Sequence, residues 1–133
     1  MSWVAANIRW IMLAAGALTC TMLYAAIAPQ AALRATFGEA LEGPVAEIVV
    51  RNWGVLITLV GAMLVYGAHH AQVRALVLTV AATSKIVFIG LVLAHGGRFL
   101  GTAGVAIAID AVLVVLFLAY LVGLRRRGVP APQ

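Results

Sequence analysis

Residues 74–94 read RALVLTVAATSKIVFIGLVLA, an apolar run whose one charge after the opening arginine is Lys85. A transmembrane helix needs about 20 predominantly apolar residues, so this run predicts a helix that crosses a bilayer. Lys85 would then lie near the middle of the membrane, where a charged side chain costs at least about 2.5–3.5 kcal/mol on insertion scales. We therefore expect this ammonium group to find a partner inside the protein.

The whole chain has the composition of an integral membrane protein. Of its 133 residues, 65% are hydrophobic and 10% are charged, proportions far outside the range of soluble globular domains. Three further apolar runs of spanning length lie at residues 8–28, 46–68 and 103–124. The first ends in Ala26-Ile27-Ala28, as a signal peptide does, but its length and the following Pro29 favour a retained helix. We predict an all-α fold, a four-helix transmembrane bundle that forms a single domain over residues 1–133.

The net charge of +5 indicates membrane lipid rather than nucleic acid as a partner. Three of the nine basic residues form the block Arg125–Arg127 directly after the last apolar run, a typical flank for anionic cytoplasmic lipid. No polar surface remains that could carry the basic and aromatic face of a nucleic-acid-binding protein. Cys20 is the single cysteine, which excludes an intrachain disulfide and a cysteine metal cluster.

The arginines in the short loops predict the orientation, because cytoplasmic loops carry the excess of basic residues. With four spans, Arg9, Arg74 and Arg125–Arg127 lie on the same side as both termini. The other side carries the remaining arginines and all three glutamates: Arg34, Arg51, Arg98, Glu39, Glu42 and Glu47. We therefore expect a multi-pass protein whose N- and C-termini are both cytoplasmic.

The one long connection, residues 29–45, lies on the predicted outer side between Pro29 and Gly43-Pro44. Five of its apolar residues recur at helical spacing: Ala32, Leu33, Phe37, Ala40 and Leu41. This pattern predicts a short amphipathic helix in the membrane interface. The C-terminal GVPAPQ, residues 128–133, is expected to fray.

In the second span, Gly54, Thr58 and Gly61 form a stripe of small residues. Small residues let helix backbones approach closely in lipid, where no hydrophobic effect drives helices together. The stripe therefore predicts a close contact between the second span and a neighbouring helix.

Two ion pairs are predicted in the outer half of the bundle. Lys85 and Asp110 lie at similar depth on consecutive antiparallel spans, so we expect them to form a buried pair. Glu47 and Arg51, spaced four residues apart on the second span, are expected to form another.

These charged groups are predicted to line a polar pocket in that half. Asn52 could join either pair, and Tyr24 and Trp53 lie at comparable depth on the first and second spans. The predicted ligand-binding residues are thus Tyr24, Glu47, Arg51, Asn52 and Trp53, and the predicted catalytic residues are Lys85 and Asp110.

Two roles remain open for the buried charges. They could fix the register and rotation of the helices, as buried polar groups sometimes do. They could instead line a functional cavity, because ionisable residues within a membrane are functional candidates by default. In the second case Lys85 could act as a base, a proton relay or a carbonyl-reactive amine.

The sequence predicts no metal site. His69 and His70 lie at one end of the second span and His95 at the opposite membrane face, roughly 30 Å away, so the three cannot share one ligand sphere. The sequence also lacks a zinc-protease motif, a nucleophile elbow and a phosphate-binding loop.

The chain resembles the DoxX-like group of small bacterial four-helix membrane proteins. The resemblance covers nearly the whole chain and includes FGEALEG at 37–43, EIVVRNWGVLITLVGAMLVYGA at 47–68 and SKIVFIGLVL at 84–93. It implies a four-helix fold in the bacterial cytoplasmic (inner) membrane. Some relatives are described as quinone-linked oxidoreductase subunits, so the resemblance implies quinone as a candidate cofactor.

Three functional hypotheses follow from the sequence. In the leading one, the pocket binds a small lipophilic ligand with a polar head, quinone-like or isoprenoid-like, with any chemistry being proton transfer through Lys85 and Asp110. In the second, the protein is a non-catalytic subunit or assembly partner of a larger membrane complex, and its charges serve packing. In the third, it is a small transporter that works as a homo-oligomer of two chains, a homodimer.

Overall fold

The fold is known from a computed structural model that describes residues 2–128, and the regular structure of these residues is entirely helical. The helices are α1 (Trp3–Cys20), α2 (Leu23–Ile27), α3 (Pro29–Phe37), α4 (Pro44–His69), α5 (Ala71–His95) and α6 (Leu100–Gly128), with a 3-10 turn at Gly97–Phe99. Four segments of this described part are long and apolar enough to cross a membrane: Trp3–Ile27, Pro44–His69, Ala71–His95 and Gly97–Gly128. The predicted all-α four-helix bundle is confirmed, and residues 129–133 of the predicted frayed tail lie outside the described residues.

The bundle has two ends that differ in structure. The terminal end carries the start of α1 and the end of α6, whereas the loop end carries α3 and the Gly97–Phe99 turn. In the half toward the terminal end, a buried cluster takes residues from all four spanning segments. Its largest fully buried side chains are Met12, Leu64, Leu78 and Phe117. Bulky residues and alanines together fill this half of the bundle.

Small residues allow the first span to lie directly on α4. A Cβ atom built on Gly54 would lie 2.6 Å from the amide nitrogen of Ala26, and one built on Gly61 would lie 2.7 Å from Cys20 Sγ. Both distances are too short for non-bonded atoms, so only glycine fits at these positions. The two glycines of the predicted stripe are thus confirmed as a helix contact. The hydroxyl group of Thr58, the third residue of the stripe, donates a hydrogen bond within α4, to the Gly54 carbonyl at 2.7 Å.

The first span is interrupted at Thr21 and Met22, between α1 and α2. The amides of these two residues bond the carbonyls three positions back, at 3.2 and 3.1 Å, instead of four positions back. The Thr21 hydroxyl also donates to the Leu18 carbonyl at 2.5 Å. Such bonding from a threonine side chain competes with the helical hydrogen bonds, and the helix is interrupted at this point.

A short helix covers part of the loop end, as predicted, but it is shorter than expected. α3 ends before Gly38, which adopts a left-handed conformation with φ 78° and so stops the helix. Ala40 and Leu41, which the periodicity also placed on the helix, follow this glycine and are not helical. The apolar face of α3 is buried against α2 and α4, which ties this interfacial helix to the bundle.

The connection between α4 and α5 is the single residue His70, which is extended with φ −127° and ψ 92°. The side chain of Arg74 returns over this connection. Its Nε donates to the Gly67 carbonyl at 3.1 Å and its Nη2 donates to the Ala68 carbonyl at 2.9 Å. The guanidinium thereby satisfies carbonyls that the last turn of α4 leaves without helical partners.

Candidate functional site

Lys85 and Asp110 form an ion pair inside the bundle, between α5 and α6. Lys85 Nζ lies 2.7 Å from Asp110 Oδ1, and only 11% of the Lys85 side chain and 19% of the Asp110 side chain are exposed. Both residues lie about 15 Å along their helices from the loop end, at 1.5 Å per residue. That distance is half the thickness of a hydrocarbon core of about 30 Å. The predicted pairing is confirmed, with both charges near the middle of their spans.

A cavity of about 210 Å³ lies beside this pair, and the four spanning segments and α3 all contribute to its wall. Most of the wall is apolar. Besides the ion pair, the wall carries four residues with hydroxyl groups: Thr19, Thr21, Thr36 and Ser84. Its apolar members are Leu18, Met22, Trp53, Ile57, Val60, Ala81, Phe88, Ala106 and Ile109. The site is therefore a mainly apolar cavity with one charged wall.

Beside the ion pair, the cavity wall carries small residues on both α5 and α6. On α5, Ala81 and Ser84 line the cavity on the terminal-end side of Lys85. On α6, Ala106 lines it on the loop-end side of Asp110. The interruption at Thr21 and Met22 lies on the opposite wall. Small residues on α5 and α6 and the interrupted first span thus border the same space.

α4 contributes one helical face to the cavity, through Trp53, Ile57 and Val60, which are spaced four and three residues apart. Phe37 of α3 packs against both Trp53 and Phe88, with ring centroids 6.4 Å apart in each case. Since Trp53 and Phe88 both line the cavity, α3 holds two of its walls in position from the loop end.

Three of the predicted pocket residues lie outside the cavity. Arg51 does not pair with Glu47, but donates from Nη1 to the carbonyl of Ala26 at 2.6 Å. Glu47 lies instead at a surface depression with Gln30, Arg34, Glu42, Gly43 and Pro44. Asn52 is exposed. The reason is the helical period, since positions 47 and 51 lie on the side of α4 opposite to Trp53, where an arginine meets the free carbonyls at the end of α2.

Tyr24 lies beside the cavity, in a groove of about 420 Å³ formed by the first span, α3 and α6. The groove and the cavity have four wall residues in common: Thr21, Met22, Thr36 and Ala106. The two spaces therefore adjoin. Of the seven predicted site residues, Lys85, Asp110 and Trp53 come together in the cavity, and Tyr24 lies in the adjoining groove.

Some cavity residues were not predicted, although a signal for them was present in the sequence. Ala81, Ser84 and Phe88 lie four, one and three residues from Lys85, so helical spacing places them near the face of α5 that carries the lysine. Ala106 stands in the same relation to Asp110 on α6. No comparable signal exists for Thr36, because its position depends on how α3 folds back over the bundle.

The other ion pair of the described residues is exposed, and the histidines lie at helix ends. A second ion pair joins Arg98 Nη2 to Glu39 Oε2 at 3.2 Å at the loop end, with 72% and 58% of the side chains exposed. His70 stacks on Tyr66 with ring centroids 3.9 Å apart. Within residues 2–128, no group of three or more His, Cys, Asp or Glu side chains is placed to hold a metal ion.

Comparison with protein-family models, with curated proteins and with solved structures finds no match to this chain. The resemblance to DoxX-like proteins therefore stays a prediction based on the sequence pattern.

Proposed function

We propose that this multi-pass membrane protein binds a small lipophilic molecule with a polar head, of the quinone or isoprenoid kind, in the cavity beside Lys85 and Asp110. The observation that carries the proposal is the position of the ion pair. Its two charges bridge α5 and α6 and form part of the wall of a mainly apolar cavity near the middle of the spans. Ligand sites combine such apolar walls with a few polar groups that orient the ligand.

The volume of the cavity supports an occupant of limited size. An engineered apolar cavity of about 150 Å³ in another protein binds benzene. A cavity of about 210 Å³ is therefore large enough for one substituted ring.

The charged wall offers hydrogen bonds to a ligand oxygen. An ammonium group has three N–H donors, and in the described part of the chain Lys85 uses one of them, for Asp110. The Asp110 carboxylate likewise accepts through one oxygen, which leaves acceptor capacity on the other. A carbonyl or phenol oxygen beside the pair would receive a charge-assisted hydrogen bond from the lysine. The same geometry would allow proton transfer between the lysine and that oxygen, with Asp110 stabilising the charged form of Lys85.

The proposal extends to the setting of the protein, which we place in the bacterial cytoplasmic membrane with both termini inside. Arg9, Arg74 and Arg125–Arg127 all belong to the terminal end of the antiparallel bundle. Basic residues concentrate on the cytoplasmic side of membrane proteins, which supports this orientation.

Trp53 provides a direct test of binding, because it is the one tryptophan on the cavity wall. In a W3F/W10F background, a tailless substituted benzoquinone added to protein in lipid nanodiscs should quench Trp53 in a saturable way. A W3F/W53F protein keeps only the exposed Trp10 and measures collisional quenching. Adding K85M/D110L should weaken binding at least tenfold, as expected when hydrogen bonds to charged groups are lost.

The matched control is R98Q/E39Q, which removes the exposed ion pair and should leave the affinity unchanged. Equal affinity in K85M/D110L and in the parent protein would contradict the proposal, as would non-saturable quenching of Trp53. A retained thermal unfolding transition in K85M/D110L shows that the loss of binding does not reflect unfolding.

A further inference from the structure

We propose that the groove beside the cavity holds the apolar tail of the ligand, so that the site takes a single-tailed lipophile whose tail leaves the bundle between the first span and α6. This inference rests on the proposed function, because it assigns the tail of a molecule whose head occupies the cavity. The groove is lined by Tyr24, Ala32, Ala35 and Thr102, together with the four residues that it shares with the cavity.

The first argument is continuity between the two spaces. Thr21, Met22, Thr36 and Ala106 border both of them, so no layer of protein separates the cavity from the groove. A ring in the cavity that carries a chain must direct this chain somewhere, and the shared border lies at the interruption of the first span. The interruption of the helix and the shared border thus coincide.

The second argument is the wall that α6 provides. Asp110, Ala106 and Thr102 recur every four residues, so they lie on one face of the helix and extend about 12 Å from the ion pair toward the loop end. Thr102 at the far end lies under the end of α3, where a Cβ atom built on Gly38 would be 3.1 Å from its hydroxyl oxygen. The groove therefore starts at Ala106, four residues from Asp110, and leads toward the loop end covered by α3.

The third argument is exposure on the membrane side. Tyr24 is 50% exposed, and Ala35, Thr102 and Ala106 are also exposed. The groove is therefore open on the outer surface of the bundle. A chain lying in it would contact the apolar side chains of Met22, Ala32, Ala35 and Ala106, which suits an isoprenoid or alkyl chain.

The size of the cavity means that the chain of a tailed ligand must extend outside it. About 210 Å³ accommodates a ring but not a ring and its chain. In a bilayer the tail is surrounded by other apolar tails whether it is bound or free, so it gains little hydrophobic free energy by lying in the groove. The groove should therefore act as a steric requirement: tailed ligands bind only while it is open, and tailless ligands bind in either case.

The test compares a tailless benzoquinone with the same ring carrying one isoprenyl unit, in the W3F/W10F background with Trp53 quenching as the readout. Ala35→Phe fills the groove from α3 without altering a cavity residue. Ala31→Phe, on the same helix but outside the groove, is the matched control. In A35F, the dissociation constant of the tailed ring should rise at least tenfold, while that of the tailless ring should stay within twofold; in A31F neither should change. Unchanged binding of the tailed ring in A35F would overturn the inference.

A second measurement needs no variant beyond that background. A ring whose isoprenyl tail ends in a diazirine should, after irradiation, form adducts on peptides of α2, α3 or the start of α6. Adducts confined to α4 or α5 would overturn the inference even if A35F proved unstable. Failure of the tailless ring to bind the parent protein would contradict the proposed function itself, whereas binding of this ring with adducts elsewhere would contradict only the path of the tail.

Discussion

Gly16 of α1 and Gly61 of α4 lie against each other with no room for a side chain. A Cβ atom built on Gly16 would be 2.8 Å from the carbonyl oxygen of Gly61, and one built on Gly61 would be 2.9 Å from that of Gly16. The contact between the first span and α4 is therefore a contact of backbones. Dispersion between closely packed backbones is one of the main forces that hold helices together in lipid, and it explains why α1 and α4 pair despite the interruption of the first span.

Gly61→Ala should destabilise the bundle by about 1–3 kcal/mol, because overpacking at this contact forces the two helices apart. Gly90→Ala is the matched control, since it also lies within a spanning helix but has no atom within 4 Å of an added Cβ. It should be neutral or stabilising by up to about 1 kcal/mol, the difference in helix propensity. Equilibrium unfolding in mixed micelles, followed by circular dichroism, measures both changes. Equal free energies of unfolding for the two variants would show that the close contact does not contribute to stability.

The Lys85–Asp110 pair should show strong coupling in a double-mutant cycle. Lys85→Met alone leaves a buried carboxylate without its partner, and Asp110→Leu alone leaves a buried ammonium, so each should cost about 3–5 kcal/mol. The double variant removes both charges and should be as stable as the parent protein or more stable. Denaturant titrations of the four proteins give the coupling free energy. Additive effects of the two substitutions would mean that each charge is solvated independently.

Filling the cavity should abolish binding without unfolding the protein. Ala106→Phe places a ring on the cavity wall, and Ala108→Phe places the same ring on an exposed position of α6 outside it. We expect at least tenfold weaker binding of the tailless benzoquinone in A106F and unchanged binding in A108F, measured by Trp53 quenching. A106F that binds as tightly as A108F would show that the ring occupies another site.

The orientation of the bundle can be tested by cysteine labelling in a Cys20→Ala background. Glu42→Cys lies at the loop end and Gln72→Cys at the terminal end, and both positions are exposed. In cells whose outer membrane has been permeabilised, a membrane-impermeant maleimide should label E42C at once and Q72C only after lysis. The reverse pattern would place both termini outside.

The buried ion pair was predictable from the sequence, whereas the second pair was not, and the difference lies in the surroundings of the charges. A lysine and an aspartate near the centre of their spans have no water within reach, so the cost of leaving either one unpaired nearly dictates the contact. Glu47 and Arg51 lie closer to the end of α4, where water can solvate a carboxylate. Arg51 is then free to bond the Ala26 carbonyl, an acceptor that exists only because α2 ends there.

The helices were predictable from hydropathy, but the cavity was not, because it depends on local hydrogen bonds and on how the helices pack. The interruption at Thr21 and Met22 occurs inside a run that reads as one continuous span. Two threonine side chains in this region bond to backbone carbonyls three and four residues back, and neither bond can be inferred from the periodicity of apolar residues. Thr36 joins the wall only through the fold of α3 over the loop end.

The single-residue link at His70 limits which parts of the molecule can move apart. Because one residue joins them, the end of α4 at His69 and the start of α5 at Ala71 cannot move far apart. No direct link joins the start of α4 at Pro44 to the end of α5 at His95. A widening between α4 and α5 would therefore pivot about their joined ends, on the side of the chain termini. On the proposed function, the ligand would then enter sideways from the leaflet at the loop end, with no need for a continuous passage from one aqueous phase to the other.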